Sequence, residues 1–192
     1  MKLRLVVVVL LALVPLIGCS RRAPQPASPP PAASTDDAAA RARADSIAAA
    51  QLARQQAEER ERRAQLARAQ EVLSNVVYFE YDSFQLNAEA EDRLRVKSAI
   101  LRANPGLELR VEGHADERGS TEYNIALGQR RAEAVRTFLA GYGVPGTRLS
   151  TISYGKERPA VAGSTESAWA QNRRAEFAVT AGEITAIPPE VR

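Results

Sequence analysis

Read from its amino terminus, the chain changes its pattern of apolar and polar positions several times. Residues 1–18 hold Lys2 and Arg4, then an uncharged apolar run from residue 5 to residue 17. Residues 19–35 are broken by Pro24, Pro26, Pro29, Pro30 and Pro31 among Ala and Ser. Such a stretch cannot bury a core and favours extended polyproline geometry. Residues 36–74 contain no Gly or Pro and are rich in Ala, Arg, Gln, Glu and Leu, so they predict one long solvated helix, with Asp36 and Asp37 suited to cap its start. Leu52, Glu59, Leu66 and Leu73 fall at heptad intervals, but the glutamate interrupts the series and Gln55 and Arg62 take the companion seam positions. A coiled coil is therefore weakly supported.

From residue 75 the pattern becomes that of a packed domain. A β-branched and aromatic run at 76–81 reads as a strand, and Leu107, Leu109 and Val111 alternate with Glu108, Arg110 and Glu112 as a half-buried strand requires. Two more strands are predicted at 149–154 and 175–180. Helical patterns run over 88–103, ended by Asn104-Pro105-Gly106, and over 121–142, ended by Gly141 and Gly143, and a short helical turn is expected at 167–172. The order strand, helix, strand, helix, strand, strand argues for a two-layer α/β sandwich. All ten aromatic residues lie between Tyr78 and Phe177, and nine of the eleven glycines between Gly106 and Gly163, which places the only core within residues 75–181 and leaves 182–192 as a tail.

The thirteen apolar residues near the start are well short of the ~20 needed to cross a bilayer. With a basic start and a small residue before a cut point they make a secretory signal. Leu16-Ile17-Gly18-Cys19 resembles the lipobox of bacterial lipoproteins. That resemblance implies cleavage before Cys19, diacylation of its sulfur and acylation of the new amine. Ser20, in place of an aspartate, implies carriage to the outer membrane. Each buried methylene contributes ~0.8 kcal/mol, so three acyl chains anchor stably where one holds weakly. The proline-rich stretch at ~3.1 Å per residue spans ~50 Å, and the helical stretch at ~1.5 Å per residue spans ~58 Å. If both are extended, the folded domain sits ~100 Å from the membrane.

Composition sharpens this picture. The chain has 192 residues, 26 Lys and Arg against 23 Asp and Glu, and a net charge of +3. Loss of residues 1–18 leaves 24 basic against 23 acidic side chains, so the apparent basicity belongs largely to the export signal. The basic residues are interleaved with acids rather than arranged in a stripe, which argues against nucleic acid as a partner. One Cys excludes an internal disulfide framework and Cys-cluster zinc sites. One His excludes two-histidine and three-histidine metal sites. No cofactor is expected beyond the covalent lipid on Cys19.

The sharpest anomaly lies on the second long helix of the domain. Its apolar face is set by Leu127, Val135, Phe138 and Leu139, and Arg131 stands four residues from both Leu127 and Val135, on the edge of that face. A guanidinium there cannot deprotonate and is expensive to desolvate, so unless it only snorkels past the edge it needs an acidic partner or an anionic ligand. Candidate partners come from strand ends: Asp82 after Tyr81, and the charged, glycine-flanked loop carrying Asp116 and Arg118, with Ser120 a plausible helix N-cap. Asp82 and Asp116 with Arg118 and Arg131 form a mixed-sign cluster that fits a zwitterion, carboxylates for an ammonium and an arginine fork for a carboxylate.

The segments Gly113-His114-Ala115-Asp116-Glu117-Arg118-Gly119-Ser120, Tyr123-Asn124, Leu127-Gly128, Arg130-Arg131-Ala132, Ser153-Tyr154-Gly155-Lys156-Glu157-Arg158-Pro159 and Asn172-Arg173-Arg174-Ala175 strongly resemble the OmpA-like domain family, most nearly its lipid-anchored, peptidoglycan-associated branch. The resemblance covers about residues 76–180 and implies a four-stranded mixed sheet with helices in β-α-β-α-β-β order. It also implies binding of peptidoglycan through the meso-diaminopimelate of its peptide stem. By motif, Asp116 and Arg131 match the pair that clasps diaminopimelate, with Asp82, Arg118 and Leu127 lining the same pocket and Tyr81 packing beside it. Asn124 matches a residue suited to fix the loop, and Arg173 and Arg174 are read as structural. The family's partners, the periplasmic propeller protein of the Tol system and its energised inner-membrane complex, are implied for the domain, with roles in envelope integrity and cell division. The helical lead of 36–74 is longer than the family's usual linker.

Other functions fare worse. A peptidoglycan hydrolase needs more than His114 and Asp116, and no second His, no second Cys and no identifiable activated Ser accompany them. A flagellar-stator-like anchor needs a membrane-spanning helix with an intramembrane acid, and residues 1–18 offer neither. The expected protein is a non-catalytic, lipid-anchored tether of the outer membrane, its domain facing the periplasm.

Overall fold

The computed structural model of the chain describes residues 34–191. The signal segment 1–18, Cys19 and nearly all of the proline-rich stretch 19–35 lie outside the described residues. The chain divides into two units, 1–48 and 49–192. The described part of the first, 34–48, is exposed throughout and helical from Thr35. Helix α1 spans Thr35–Ser74. Its cap is Ser34, whose hydroxyl accepts the Asp37 N–H at 3.2 Å, whereas Asp36 and Asp37 sit inside the first turn, where carboxylates favour the positive end of the helix dipole. No helix of the described residues is long and apolar enough to cross a membrane.

The second unit is a two-layer α/β sandwich. In chain order it contains β1 Val77–Tyr78, α2 Ala88–Ala103, β2 Glu108–His114, α3 Thr121–Gly141, β3 Leu149–Gly155, α4 Glu166–Asn172 and β4 Arg174–Ala181. The sheet order is β1-β4-β2-β3, with β2 parallel to β3 and β4 antiparallel to both β1 and β2. The parallel pair is joined through α3, the kind of crossover that parallel strands require. Asn87 and Ser120 cap α2 and α3 by accepting the N–H groups of Ala90 and Tyr123.

The predicted strand at 76–81 contracts to two residues. The Phe79 N–H still bonds the Arg173 carbonyl at 2.9 Å, but the chain then turns, and Asp82 adopts a φ of 51°. The carbonyls of Glu80 and Ser83 leave the ladder because they accept hydrogen bonds from Arg131.

The core packs Leu94, Ile100 and Leu101 of α2 and Val135 and Leu139 of α3 against Leu109 and Val111 of β2. It also reaches past residues 75–181 at both ends, taking in Ala69 and Leu73 from α1 and Val191 from the tail. The heptad series is thus split: Leu73 is buried in the domain while Leu52 is exposed. Lys97, 0% exposed, donates to the carbonyls of Val72 and Leu73 and lies 4.1 Å from the Phe177 ring, so it satisfies the carbonyls that a helix end leaves without partners. Burial pushes its ammonium down to about 7. Asn104 holds the tail, its amide oxygen accepting the N–H groups of Thr185 and Ala186 at 2.7 and 2.8 Å.

What sets α3 over the end of β2 is a close backbone approach. A Cβ on Gly113 would stand 1.9 Å from the Gly128 carbonyl oxygen, so only hydrogen fits. Gly113→Ala must push helix from sheet and is expected to cost about 3 kcal/mol or more. Gly106→Ala, where a Cβ meets nothing within 4 Å, should stay within about 0.5 kcal/mol of the parent. Urea unfolding of the two variants measures the difference.

Candidate functional site

Glycine contact brings the amino-terminal half of α3 beside the loop after β2, and β1 delivers its turn from the other side. Asp82, Asp116, Arg118, Leu127 and Arg131, the five residues expected from the sequence, all line one cleft of about 210 Å³ with Tyr81, Gly119 and Tyr123.

Arg131 is fully buried at 0% exposure, but no carboxylate lies within ion-pair distance among the described residues. Of the two ways expected to settle this cation, an acidic partner or an anionic ligand, the described residues supply no direct acidic partner, and main-chain carbonyls take that place. Its Nε donates to Ser83 O at 2.8 Å, Nη1 to His114 O at 2.8 Å and Nη2 to Glu80 O at 3.1 Å, with the Phe79 ring 5.2 Å from the guanidinium carbon. Backbone carbonyls can do this because each carries two lone pairs and a turn can present several at once. Three of the five guanidinium N–H groups are used, which leaves one on each terminal nitrogen. Burial pushes Arg131 down to about 10, opposed by the attraction of Asp116, so it remains a cation at neutral pH.

Asp116 and Arg118 pair with each other. The Arg118 N–H and Nε donate to Asp116 Oδ1 at 3.1 and 3.2 Å, and Nη2 to Oδ2 at 2.6 Å. Burial opposes the Asp116 charge, but hydrogen bonds from Arg118 and attraction to Arg118 and Arg173 outweigh it and hold the carboxyl below its ordinary range. The Arg118 guanidinium lies between two aromatic faces, 4.0 Å from the Tyr81 ring and 4.1 Å from that of Trp169. Across the cleft the Tyr123 hydroxyl donates to Asp82, which raises the tyrosine pKa. Asn124 fixes the loop as expected, donating to the Arg118 carbonyl at 2.9 Å.

Sequence reasoning missed two contributors. Tyr123 stands four residues before Leu127 on α3, a spacing that carries the signal. Trp169 comes from α4, and its Nε1 donates at 3.0 Å to Glu117, 52 residues earlier in the chain. Arg173, read from the sequence as structural, is buried, lies 3.6 Å from Asp116 and 2.9 Å from Glu166, and donates to Phe79 O at 3.1 Å, so it ties the site to β1.

The described domain is thus a small α/β unit in which one cleft brings paired opposite charges together. Residues 78–173 match the model of the OmpA family, and the chain belongs to that family. It is 51% identical over 104 residues to the peptidoglycan-associated lipoprotein of Haemophilus influenzae, covering 54% of this chain and 68% of that one. Against the peptidoglycan-associated lipoprotein of Pseudomonas aeruginosa it is 51% identical over 100 residues, 52% of this chain and 59% of the relative. The crystal structure of the peptidoglycan-associated lipoprotein from Burkholderia pseudomallei superposes with a TM-score of 0.54 at 41% identity, over 55% of this chain and 89% of that chain.

Three outcomes follow from the electrostatics of these residues. Arg131→Met strands three carbonyls and should cost about 3 kcal/mol or more of stability in urea unfolding. Arg118→Met leaves Asp116 facing Arg173 and should lower stability by less than Arg131→Met does. His114 is pushed down to about 4 by burial and by the Arg174 charge. The unfolded chain, with an ordinary histidine, therefore binds the extra proton between pH 6.5 and about 4. Stability is retained above that window and lost as pH falls through it, by about 3 kcal/mol. His114→Gln should lack this component of acid unfolding when circular dichroism is followed against pH.

Proposed function

We propose that the chain is a non-catalytic tether, anchored in the outer membrane by lipid on Cys19, whose periplasmic domain grips peptidoglycan through the meso-diaminopimelate of the peptide stem. The observation that carries this reading is the cleft itself, with Asp82 and Asp116 for the ammonium and Arg118 and Arg131 for the carboxylate of one zwitterionic end. Names of relatives about 50% identical point the same way. Arg131 is the preorganised cation, because three main-chain bonds fix it and two N–H groups remain. Arg118 is the adjustable one, free to share its fork between Asp116 and a ligand carboxylate. Tyr81 and Tyr123 wall the cleft with rings that pack on the aliphatic stem of the ligand. Catalysis has no support: His114 is neutral and buried, and no activated nucleophile accompanies it among the described residues. Membership of the family extends the proposal to the Tol system's propeller protein as a partner in envelope integrity and cell division.

Co-sedimentation with purified cell wall tests the pocket. The chain should pellet with diaminopimelate-containing wall, and Asp82→Asn and Arg118→Met should each weaken this about tenfold, the loss of one charge-assisted contact. Wall in which lysine replaces diaminopimelate lacks the second carboxylate and should retain little protein. Equal retention of parent, variants and both walls overturns the assignment.

A further inference from the structure

A second cluster lies on the other face of the sheet. Leu109 and Val111 of β2 point into the core, so the alternation of a strand turns Arg110, Glu112 and His114 to the face away from α2 and α3. Glu176 of β4 stands directly opposite Glu112 in the antiparallel register. We propose that Glu112, His114 and Glu176 form a binding site for a divalent first-row transition ion, zinc above all, bridging β2 and β4.

Three observations carry this. One ligand atom from each residue lies within 4.8 Å of the other two. His114 is 1% exposed, and neither of its imidazole nitrogens makes a hydrogen bond of good geometry, although the Arg158 main chain lies near enough to act on the ring; a metal would relieve that costly condition. Each glutamate uses only Oε1 on an arginine, Glu112 with Arg110 at 2.7 Å and Glu176 with Arg174 at 2.5 Å, and Oε2 of each has no protein hydrogen bond among the described residues.

The geometry is close to what zinc needs. Bonds of ~2.0–2.2 Å to nitrogen and oxygen put two tetrahedral ligands ~3.4 Å apart, so the donors must close by about 1.4 Å. Glutamate rotamers supply that movement without disturbing the ladder. Arg110 and Arg174 each hold one carboxylate oxygen, the role that hydrogen-bonding partners take around metal ligands. Arg158, stacked 3.7 Å over Tyr154, and Tyr154 itself, 5.5 Å from the His114 ring, complete the surroundings. The two arginines offset the carboxylate charge, which disfavours calcium and magnesium, ions that depend on many oxygens. An imidazole with two carboxylates suits zinc and its neighbours, and a single histidine suffices. The fourth position opens to solvent past Glu176, whose side chain is 39% exposed.

The single histidine makes the test direct. The full-length chain without an affinity tag is titrated with zinc chloride near neutral pH while the imidazole nitrogen resonances of His114 are followed by NMR. One equivalent should shift one of those nitrogens, and Glu176→Gln, at a half-exposed position, should weaken binding by about tenfold or more. Imidazole nitrogens unmoved by millimolar zinc, or zinc binding by Glu176→Gln and Glu112→Gln equal to that of the parent, overturn the site.

Discussion

One buried cation decides where the walls of the cleft stand. Arg131 reaches from α3 to the carbonyls of Glu80 and Ser83 on one side and of His114 on the other, so three chain segments meet at a single guanidinium. Its desolvation is costly, and three charge-assisted hydrogen bonds with the attraction of Asp116 and Asp82 offset that cost. The same bonds explain why β1 ends after two residues and why Asp82 is held at a positive φ, since the turn must present two carbonyls to one fork. A lysine at this position has no planar fork with which to span them.

Most of the fold was legible because its elements carry local signals. The helix over 88–103 is bounded by an Asn cap and Asn-Pro-Gly, and its observed limits agree to the residue. Arg131 was legible as an anomaly, from its place on an apolar face, but its partners were not. Main-chain carbonyls have no signature in the sequence, so the pattern of side chains pointed to an acidic partner or an anionic ligand. Trp169 was illegible for another reason: only the pairing of β4 with β2 brings α4 beside the loop of Arg118. The burial of Leu73 and Ala69 was hidden as well, since two apolar residues four apart at the end of a polar helix make no stripe.

The end of α1 and the tail show how a polar helix joins a core without an amphipathic face. Lys97 meets the last carbonyls of α1 from within the core, and Asn104 meets the backbone of Thr185 and Ala186. Both fixings are polar side chains satisfying main-chain groups, so neither requires a hydrophobic pattern in the segment it holds. For a proposed tether this matters, because the lead would carry load to the domain, and Lys97 fastens it by directional bonds that resist sliding more than apolar contact does.

Pairing of charges within the cleft bears on what it selects. Asp116 is engaged by Arg118, and Asp82 by Tyr123, so no charge in the cleft except Arg131 lacks a side-chain partner among the described residues. A ligand bearing only a carboxylate that drew Arg118 away would leave Asp116 buried and undercompensated, and one bearing only an ammonium would strand Arg118 in the same way. A zwitterion exchanges both partners at once, so each protein charge finds a new one as it loses the old. Specificity then comes from the cost of half-satisfied states as much as from the attraction of the ligand's own charges. For the proposed site, such a balance would favour an amino-acid terminus over a simple anion or amine, and it would hold only while Arg131 keeps the two walls at a fixed separation.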